Sequence, residues 1–187
     1  MIVKKGLLLC CICFSMCLLS CNHNNEVGVQ DVTKDTVTSK TVPTVCLYTL
    51  GNVSKNLREA MLDSLKAHYP KCKYVGNITL DKKAMTTKRK DHVRYRADLL
   101  NKQLKIFKSD STIVIGLTQA DIGLDNFRNR PHSGIMGLAS GIGTGVAVFS
   151  SYRPHGYEQL FSVMLHEIGH TQGLRHFPDT NCMMQNA

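Results

Sequence analysis

Residues 166–184 read HEIGHTQGLRHFPDTNCMM, and three histidines in this stretch constrain how the chain must fold. His166 and His170 are four residues apart, so in a helix they stand one turn apart on the same face. Two imidazoles placed in this way can share one tetrahedral zinc ion at about 2.0–2.1 Å. Gly173 follows, and a glycine can adopt the positive φ that ends a helix and turns the chain. This turn would bring His176 to the same ion as a third ligand.

Two further residues of this stretch have predicted roles. Glu167 directly follows the first histidine, so it can project toward a water on the same ion and act as general base. Three neutral imidazoles leave zinc an open fourth position, where the pKa of a bound water falls to about 7. Met184 could form an apolar floor beneath the ion. The pattern HExxHxxGxxH followed by a methionine is the metzincin signature, which is typical of zinc peptidases.

The rest of the chain alternates between strand and helix patterns. Residues 157–171 have an apolar stripe at helical spacing, formed by Phe161, Met164, Leu165 and Ile168. Upstream, strands are predicted over 45–50, 73–80, 112–117 and 146–150, with helices over 52–69 and 95–107. This order favours an α/β layer with a largely parallel sheet. The glycines of residues 134–145 do not lead from a strand into a helix at nucleotide-loop spacing, so a phosphate loop is rejected.

The last third of the chain resembles the archaemetzincins, a metzincin subgroup with HExxHxxGxxHC, four residues and CxM. Here four residues separate Phe177 from Cys182, and Met183 and Met184 complete the match. IVIGLTQADIG at 113–123 and VAVFSS at 146–151 also look like that family. The resemblance implies a compact zincin-like domain: a twisted, mostly parallel sheet with an antiparallel edge strand, and an active-site helix. It also implies peptide or protein substrates and a Met-turn at Met184.

The sequence departs from this family at its second zinc site. Phe177 stands where the family has the first cysteine, and no cysteine follows Cys182. A closed structural zinc site needs about four Cys or His ligands. We therefore expect one zinc ion, with the packing of Phe177 replacing metal in the turn before Met184.

Several residues near the predicted site have two interpretations. Residues 146–150 could be the edge strand that pairs with substrate or a plain core strand. Asp121 could be a turn residue, which we favour, or a carboxylate supporting the metal ligands. His132 and His155 are expected to be solvated rather than ligating, and Tyr152 and Tyr157 are expected to pack rather than to polarise a substrate carbonyl.

The first 42 residues predict export and anchoring. Residues 1–20 have a basic start and an apolar run too short to span a bilayer, as in a signal peptide. Residues 18–21, LLSC, resemble a bacterial lipobox, which implies cleavage before Cys21 and its acylation. The polar residues 22–42 predict a flexible tether, so the catalytic domain is expected at 43–187. The expected location is the cell envelope, on the periplasmic or outer-surface side of a bacterial membrane.

Charge and cysteine content add less. The full chain has 23 basic and 14 acidic residues. Removal of the signal peptide takes away Lys4 and Lys5, so the remaining chain has a net charge of +7. The basic run at 82–96 is interpreted as a solvated surface, and an exported protein has little contact with nucleic acid. Three cysteines remain beyond Cys21, so at most one disulfide can form, and Cys46 could pair with Cys72.

Two functional alternatives differ at Glu167. A monomeric zinc peptidase needs this carboxylate, whereas a zinc-binding lipoprotein without turnover has no use for it. Structural zinc sites also usually close the fourth position with another ligand. The presence of Glu167 favours the enzyme.

Overall fold

The computed structural model describes residues 43–86, 92–125, 133–179 and 181–185. The predicted signal peptide (1–20), Cys21, the tether (22–42) and His132 lie outside these ranges. Among the described residues, no helix combines the length and hydropathy needed to cross a membrane.

A five-stranded sheet forms the centre of the domain. Its strands are β1 (Thr44–Leu50), β2 (Lys73–Ile78), β5 (Thr112–Thr118), β8 (Gly137–Ala139) and β9 (Val146–Ser150). In the order β2-β1-β5-β9-β8, every neighbouring pair is parallel except β9 and β8. The predicted mostly parallel sheet with an antiparallel edge strand is therefore confirmed.

Three helices cover this sheet: α1 (Lys55–His68), α2 (Ala97–Lys105) and α3 (Tyr157–Thr171). The α1 helix begins three residues later than predicted, because the Ser54 hydroxyl caps it by accepting from the Leu57 N–H at 3.4 Å. The α2 helix begins two residues later, because residues 94–96 form a strand instead. The bounds of α3 match the prediction.

Each face of the sheet has its own apolar core. Helices α1 and α3 pack on one face, where Phe149, Leu47 and Met164 are fully buried. Helix α2 packs on the other face through Leu100 and Leu104. The five-residue strand β9 is buried throughout, as expected for a parallel strand covered on both sides. Residues 146–150 are therefore a core strand and not the edge strand. The edge position is taken by the three-residue strand β8.

A second, smaller sheet was not predicted. It consists of β3 (Met85–Thr86), β4 (Arg94–Arg96), β6 (Asp121–Leu124) and β7 (Ser133–Ile135), in the order β3-β4-β6-β7. The preferred interpretation of Asp121 as a turn residue is wrong. Its carboxylate has 0% exposure in β6 and accepts from Arg94 Nε at 2.6 Å. Arg153 Nε donates to the same carboxylate at 2.8 Å.

Cys46 and Cys72 are free thiols, so the disulfide that was considered does not form here. Both are buried, but Cys46 belongs to the core on the α2 face and Cys72 to the core on the opposite face. Burial raises the pKa of the Cys72 thiol to about 11. Cys72 is therefore protonated at neutral pH and correspondingly unreactive.

Asp121→Asn should lower the free energy of unfolding by about 3 kcal/mol, because it breaks a buried ion pair. Burial alone would raise the pKa of Asp121, but the hydrogen bonds from Arg153, Arg94 and His92 outweigh it and hold the pKa below its usual value. Its stabilisation is therefore complete above the unfolded-state pKa of about 3.9 and is lost as pH falls through the lower folded-state pKa. Urea unfolding of both proteins across acidic pH measures this.

Asp98→Asn is the matched control, since Asp98 pairs with Arg96 at 2.7 Å but keeps 28% of its side chain exposed. Its loss should cost less than about 1 kcal/mol. Equal effects of the two substitutions would contradict the special role of Asp121.

Candidate metal centre

Helix α3 carries two of the predicted ligands and ends directly after them. His166 and His170 lie on its last two turns, and Gly173 has a φ of 103° immediately beyond. The N–H of Leu174 donates to the Gly169 carbonyl at 3.0 Å, which closes the end of the helix. The predicted turn at Gly173 is thus present, and it returns the chain so that His176 faces the helix.

The three histidines meet at one point. Their Nε2 atoms lie 3.0 Å apart for His166 and His170, 3.1 Å for His170 and His176, and 3.2 Å for His166 and His176. Nitrogens bound tetrahedrally to one zinc at about 2.0–2.1 Å would lie about 3.3 Å apart. Among the described residues, this is the one group of three or more His, Cys, Asp or Glu side chains suited to a metal ion.

The other ring nitrogens show which atoms carry protons. His166 Nδ1 lies 2.8 Å from the Met183 carbonyl, and His170 Nδ1 lies 2.8 Å from the Leu174 carbonyl. Carbonyls only accept, so each Nδ1 is the donor and each Nε2 presents a lone pair. Lone pairs that face each other at 3.0 Å repel unless a cation lies between them. The donor set therefore fits a metal ion.

The local environment also favours the neutral form of His166 and His176, as a metal ligand requires. Burial lowers the pKa of His166, the Met183 carbonyl opposes this, and the neighbouring His170 and His176 lower the pKa further. Burial and then His170 lower the pKa of His176.

Met184 lies beneath the ligand-bearing helix. Its side chain is 2% exposed, and a Cβ placed on Gly169 would come within 2.5 Å of its sulfur. The turn before it is closed by the main chain, because the Phe177 N–H donates to the Met184 carbonyl at 2.8 Å. Phe177 is only partly buried. The expected packing of the ring is therefore only partial, and a backbone hydrogen bond also closes this turn.

Glu167 lies against the edge strand β8. The Ala139 N–H donates to its Oε2 at 2.6 Å, and a Cβ on Gly137 would lie 2.7 Å from its Cγ. Burial raises the pKa of Glu167 to about 7, although the Ala139 hydrogen bond opposes the shift. A carboxyl group with a pKa near neutrality can both accept and return a proton.

The glycine-rich segment after β8 holds the other side of the helix end. The Gly143 N–H donates to the His170 carbonyl at 2.8 Å, and the Gly145 N–H donates to the Thr171 carbonyl at 3.2 Å. Both glycines have positive φ, 74° and 71°. Carbonyls in the last turn of a helix have no partner within it, so these loop amides satisfy them.

The other candidate side chains among the described residues have different neighbours. Tyr157 donates to the Ala60 carbonyl at 2.8 Å and packs against Phe161, so it is structural. Tyr152 lies beside His92, and His155 is exposed. Sequence reasoning missed the amide of Ala139 and the space left by Gly137. The glycine was visible in the sequence, but nothing there indicated what it faced.

Comparison with known proteins places this geometry in a family. Two similar solved structures are archaemetzincins. One, from Archaeoglobus fulgidus and complexed with malonate, has a TM-score of 0.59 and 20% identity over 75% of this chain and 85% of that chain. The other, from Methanopyrus kandleri, has a TM-score of 0.60 and 22% identity over 81% of this chain and 85% of that chain. No curated protein matches the sequence significantly.

A family model described as Matrixin, Peptidase M10, matches residues 61–187. This span covers more than half of the chain, so the chain belongs to the matrixin family. It is a zinc metallopeptidase of the metzincin type, with an archaemetzincin-like fold.

Gly137→Ala should lower kcat about 10- to 100-fold and leave KM nearly unchanged, because the new methyl group would displace the Glu167 carboxylate. Steady-state kinetics on a fluorogenic peptide measures both constants. Gly76→Ala is the matched control, since Gly76 lies in strand β2 and a Cβ there meets no atom within 4 Å. A change confined to KM would mean that Gly137 contacts the substrate instead of the base.

Proposed function

We propose that this matrixin-family peptidase hydrolyses peptide bonds with one zinc ion held by His166, His170 and His176, and with Glu167 as general base. The observation that carries the proposal is the convergence of three Nε2 atoms at 3.0–3.2 Å beside the partly buried carboxyl group of Glu167. Such a set leaves a fourth position for water and substrate, whereas a structural site would usually close it.

The chain's own groups would handle the proton. A zinc ion held by the three histidines would act as a Lewis acid, which would polarise the scissile carbonyl and lower the pKa of water. Glu167 takes the proton of the attacking water and delivers it to the departing amine. The Ala139 N–H holds one carboxylate oxygen during this exchange, so the other oxygen is the one available to the proton.

The edge strand β8 would bind the substrate backbone. β8 is terminal in its sheet, and only β9 pairs with it among the described strands. An extended peptide can add to such an edge through main-chain hydrogen bonds, which give affinity with little dependence on sequence. Peptides or proteins with an accessible extended segment are therefore the proposed substrates.

The proposal of a single ion rests on the segment after His176. Phe177 cannot ligate a metal, and Cys182 is 5% exposed beneath the Met184 turn. The first-half thiols, Cys46 and Cys72, lie in the two cores of the sheet. A second tightly bound ion would lack a ligand set among the described residues.

Glu167→Ala should reduce kcat by about 10²- to 10⁴-fold while the protein still binds about one zinc per chain, because Glu167 is base and not ligand. Metal analysis and peptide-library cleavage measure the two effects. Glu158→Ala, on the exposed first turn of the same helix, is the matched control. Loss of zinc from Glu167→Ala, or full activity of this variant, would contradict the assignment of Glu167 as general base. A second ion lost on Cys182→Ser would contradict the single site.

We further propose that the protein is a monomer anchored to a bacterial membrane by acyl chains on Cys21. This proposal rests on the LLSC motif at the end of the apolar run and on the polar residues 22–42 that would link the anchor to the domain. Each buried CH₂ of an acyl chain contributes about 0.8 kcal/mol, so two or three chains give a stable anchor. The domain would then act in the cell envelope, on the periplasmic or outer-surface side.

Cys21→Ser should abolish labelling by a radioactive or clickable fatty acid and move the protein from the membrane fraction to the soluble fraction. Cys17→Ser, four residues earlier in the apolar run, is the matched control and should keep the label. Persistent labelling of the Cys21 variant would place the anchor elsewhere.

A further inference from the structure

Strands β7 and β8 follow each other directly along the chain and are separated by a bend at Met136. Among the strands that the structure describes, β7 is the last of the small sheet and β8 is the last of the large one. Met136 joins them, and its carbonyl accepts from the Ser150 N–H at 2.8 Å, which ties the junction to the end of β9. A peptide bound along β8 could therefore continue beside β7.

Two glycines in these strands, Gly137 and Gly134, lie in close contact with side chains from other parts of the chain. A Cβ on Gly137 would meet the Cγ of Glu167 at 2.7 Å, and a Cβ on Gly134 would meet the Arg153 Cζ at 2.1 Å. The Arg153 guanidinium therefore lies directly on the backbone of β7. Three residues separate the two glycines, which corresponds to at most about 10 Å of chain, because the chain bends at Met136 between them.

Arg153 is held in place by a buried carboxylate. Asp121, with 0% side-chain exposure, accepts from Arg153 Nε at 2.8 Å and from Arg153 Nη2 at 3.0 Å. The pairing is bidentate, so the plane of the guanidinium is fixed. A guanidinium has five N–H donors, and this pairing uses two of them.

Two further cationic or polar side chains of the described residues share the Asp121 carboxylate. Asp121 also accepts from Arg94 Nε at 2.6 Å and from His92 Nε2 at 2.7 Å, so one carboxylate serves two guanidiniums and an imidazole. The nearby Asp125 pairs with Arg96 at 3.3 Å. Solvent reaches 33% of the Arg153 side chain but only 6% of the Arg94 side chain. Of the two guanidiniums, Arg153 is thus the one that can meet a ligand.

We propose that Arg153 forms a subsite for a substrate carboxylate carried about three residues from the scissile bond. The inference rests on the proposed function, because it takes the substrate to extend along the edge from β8 to β7. A fixed guanidinium recognises carboxylates through paired hydrogen bonds. Tyr152 lies beside it, with the Arg153 Cζ 5.9 Å from its ring centre, and His92 packs on Tyr152 at 5.0 Å between ring centres. The carboxylate can belong to an acidic side chain or to the C-terminus of a short peptide.

A matched peptide set tests the subsite. Each peptide carries Glu or Gln at one position two to four residues from the scissile bond, or ends there as a free acid or an amide. The wild-type protein should favour one carboxylate peptide over its amide partner by about five- to tenfold in kcat/KM, the size expected for a partly exposed charged hydrogen bond. The Glu/Gln pairs and the acid/amide pairs separate the two sources.

Substitutions at Arg153 decide whether that preference belongs to it. Arg153→Gln should reduce the ratio to about one, and Arg153→Lys, which keeps the charge without the fork, should give an intermediate ratio. Arg58→Gln is the matched control, because Arg58 stacks on Tyr74 in β2, at the opposite edge of the large sheet. A wild-type protein without preference, or a preference that survives Arg153→Gln, would overturn the subsite.

Direct binding separates this inference from the proposed reaction. Calorimetry on the zinc-loaded Glu167→Ala protein, with and without Arg153→Gln, compares the same peptide pairs without turnover. A carboxylate preference lost on Arg153→Gln supports the subsite even if the wild-type protein cleaves none of the peptides, a result that would count against the proposed function alone. Equal affinities in both backgrounds would overturn the subsite even if peptides are cleaved.

Discussion

The centre depends on two hydrogen bonds that point away from it. The carbonyls of Met183 and Leu174 each accept from an Nδ1 atom at 2.8 Å, and this turns the lone pairs of His166 and His170 toward each other. Neither carbonyl lies in helix α3, so the helix alone cannot make the site. The turn at Gly173 and the backbone closure between Phe177 and Met184 are therefore as necessary as the imidazoles. Partners of this kind orient metal ligands and set their protonation.

The sheet also positions Glu167, the proposed general base, beside the proposed metal ligands. Strand β9 is buried on both faces and pairs with the short strand β8. This pairing fixes the position of β8 against helix α3. The Ala139 amide then reaches the Glu167 carboxylate, and Gly137 leaves room for its Cγ. Because the loop amides of Gly143 and Gly145 also bind the last carbonyls of α3, the segment from β8 to β9 contacts both the base and the ligand helix.

The elements that could be predicted from the sequence are those with a long and regular pattern of apolar residues. The bounds of β9 and α3 were predicted from an unbroken apolar run and an apolar stripe, and the spacing of the histidines together with Gly173 predicted which imidazoles meet. The small sheet was not predicted because its strands have two to four residues, too few to show an alternation of apolar and polar residues. Asp121 was misinterpreted because its burial depends on Arg94 and Arg153, which are 27 and 32 residues away. The role of Ala139 belongs to a main-chain amide, which has no signature in sequence.

The hydrogen bond between Ala139 and Glu167 has a consequence for the alignment of a bound peptide. Strand addition offers several registers two residues apart, and backbone pairing alone hardly distinguishes them. A register that claimed the Ala139 amide would evict the Glu167 oxygen, which lies 2.6 Å from it. Such a peptide would be bound but not processed, since the base would have lost its anchor. On the proposed mechanism, productive binding would thus be limited to the registers that leave the Ala139 amide to Glu167.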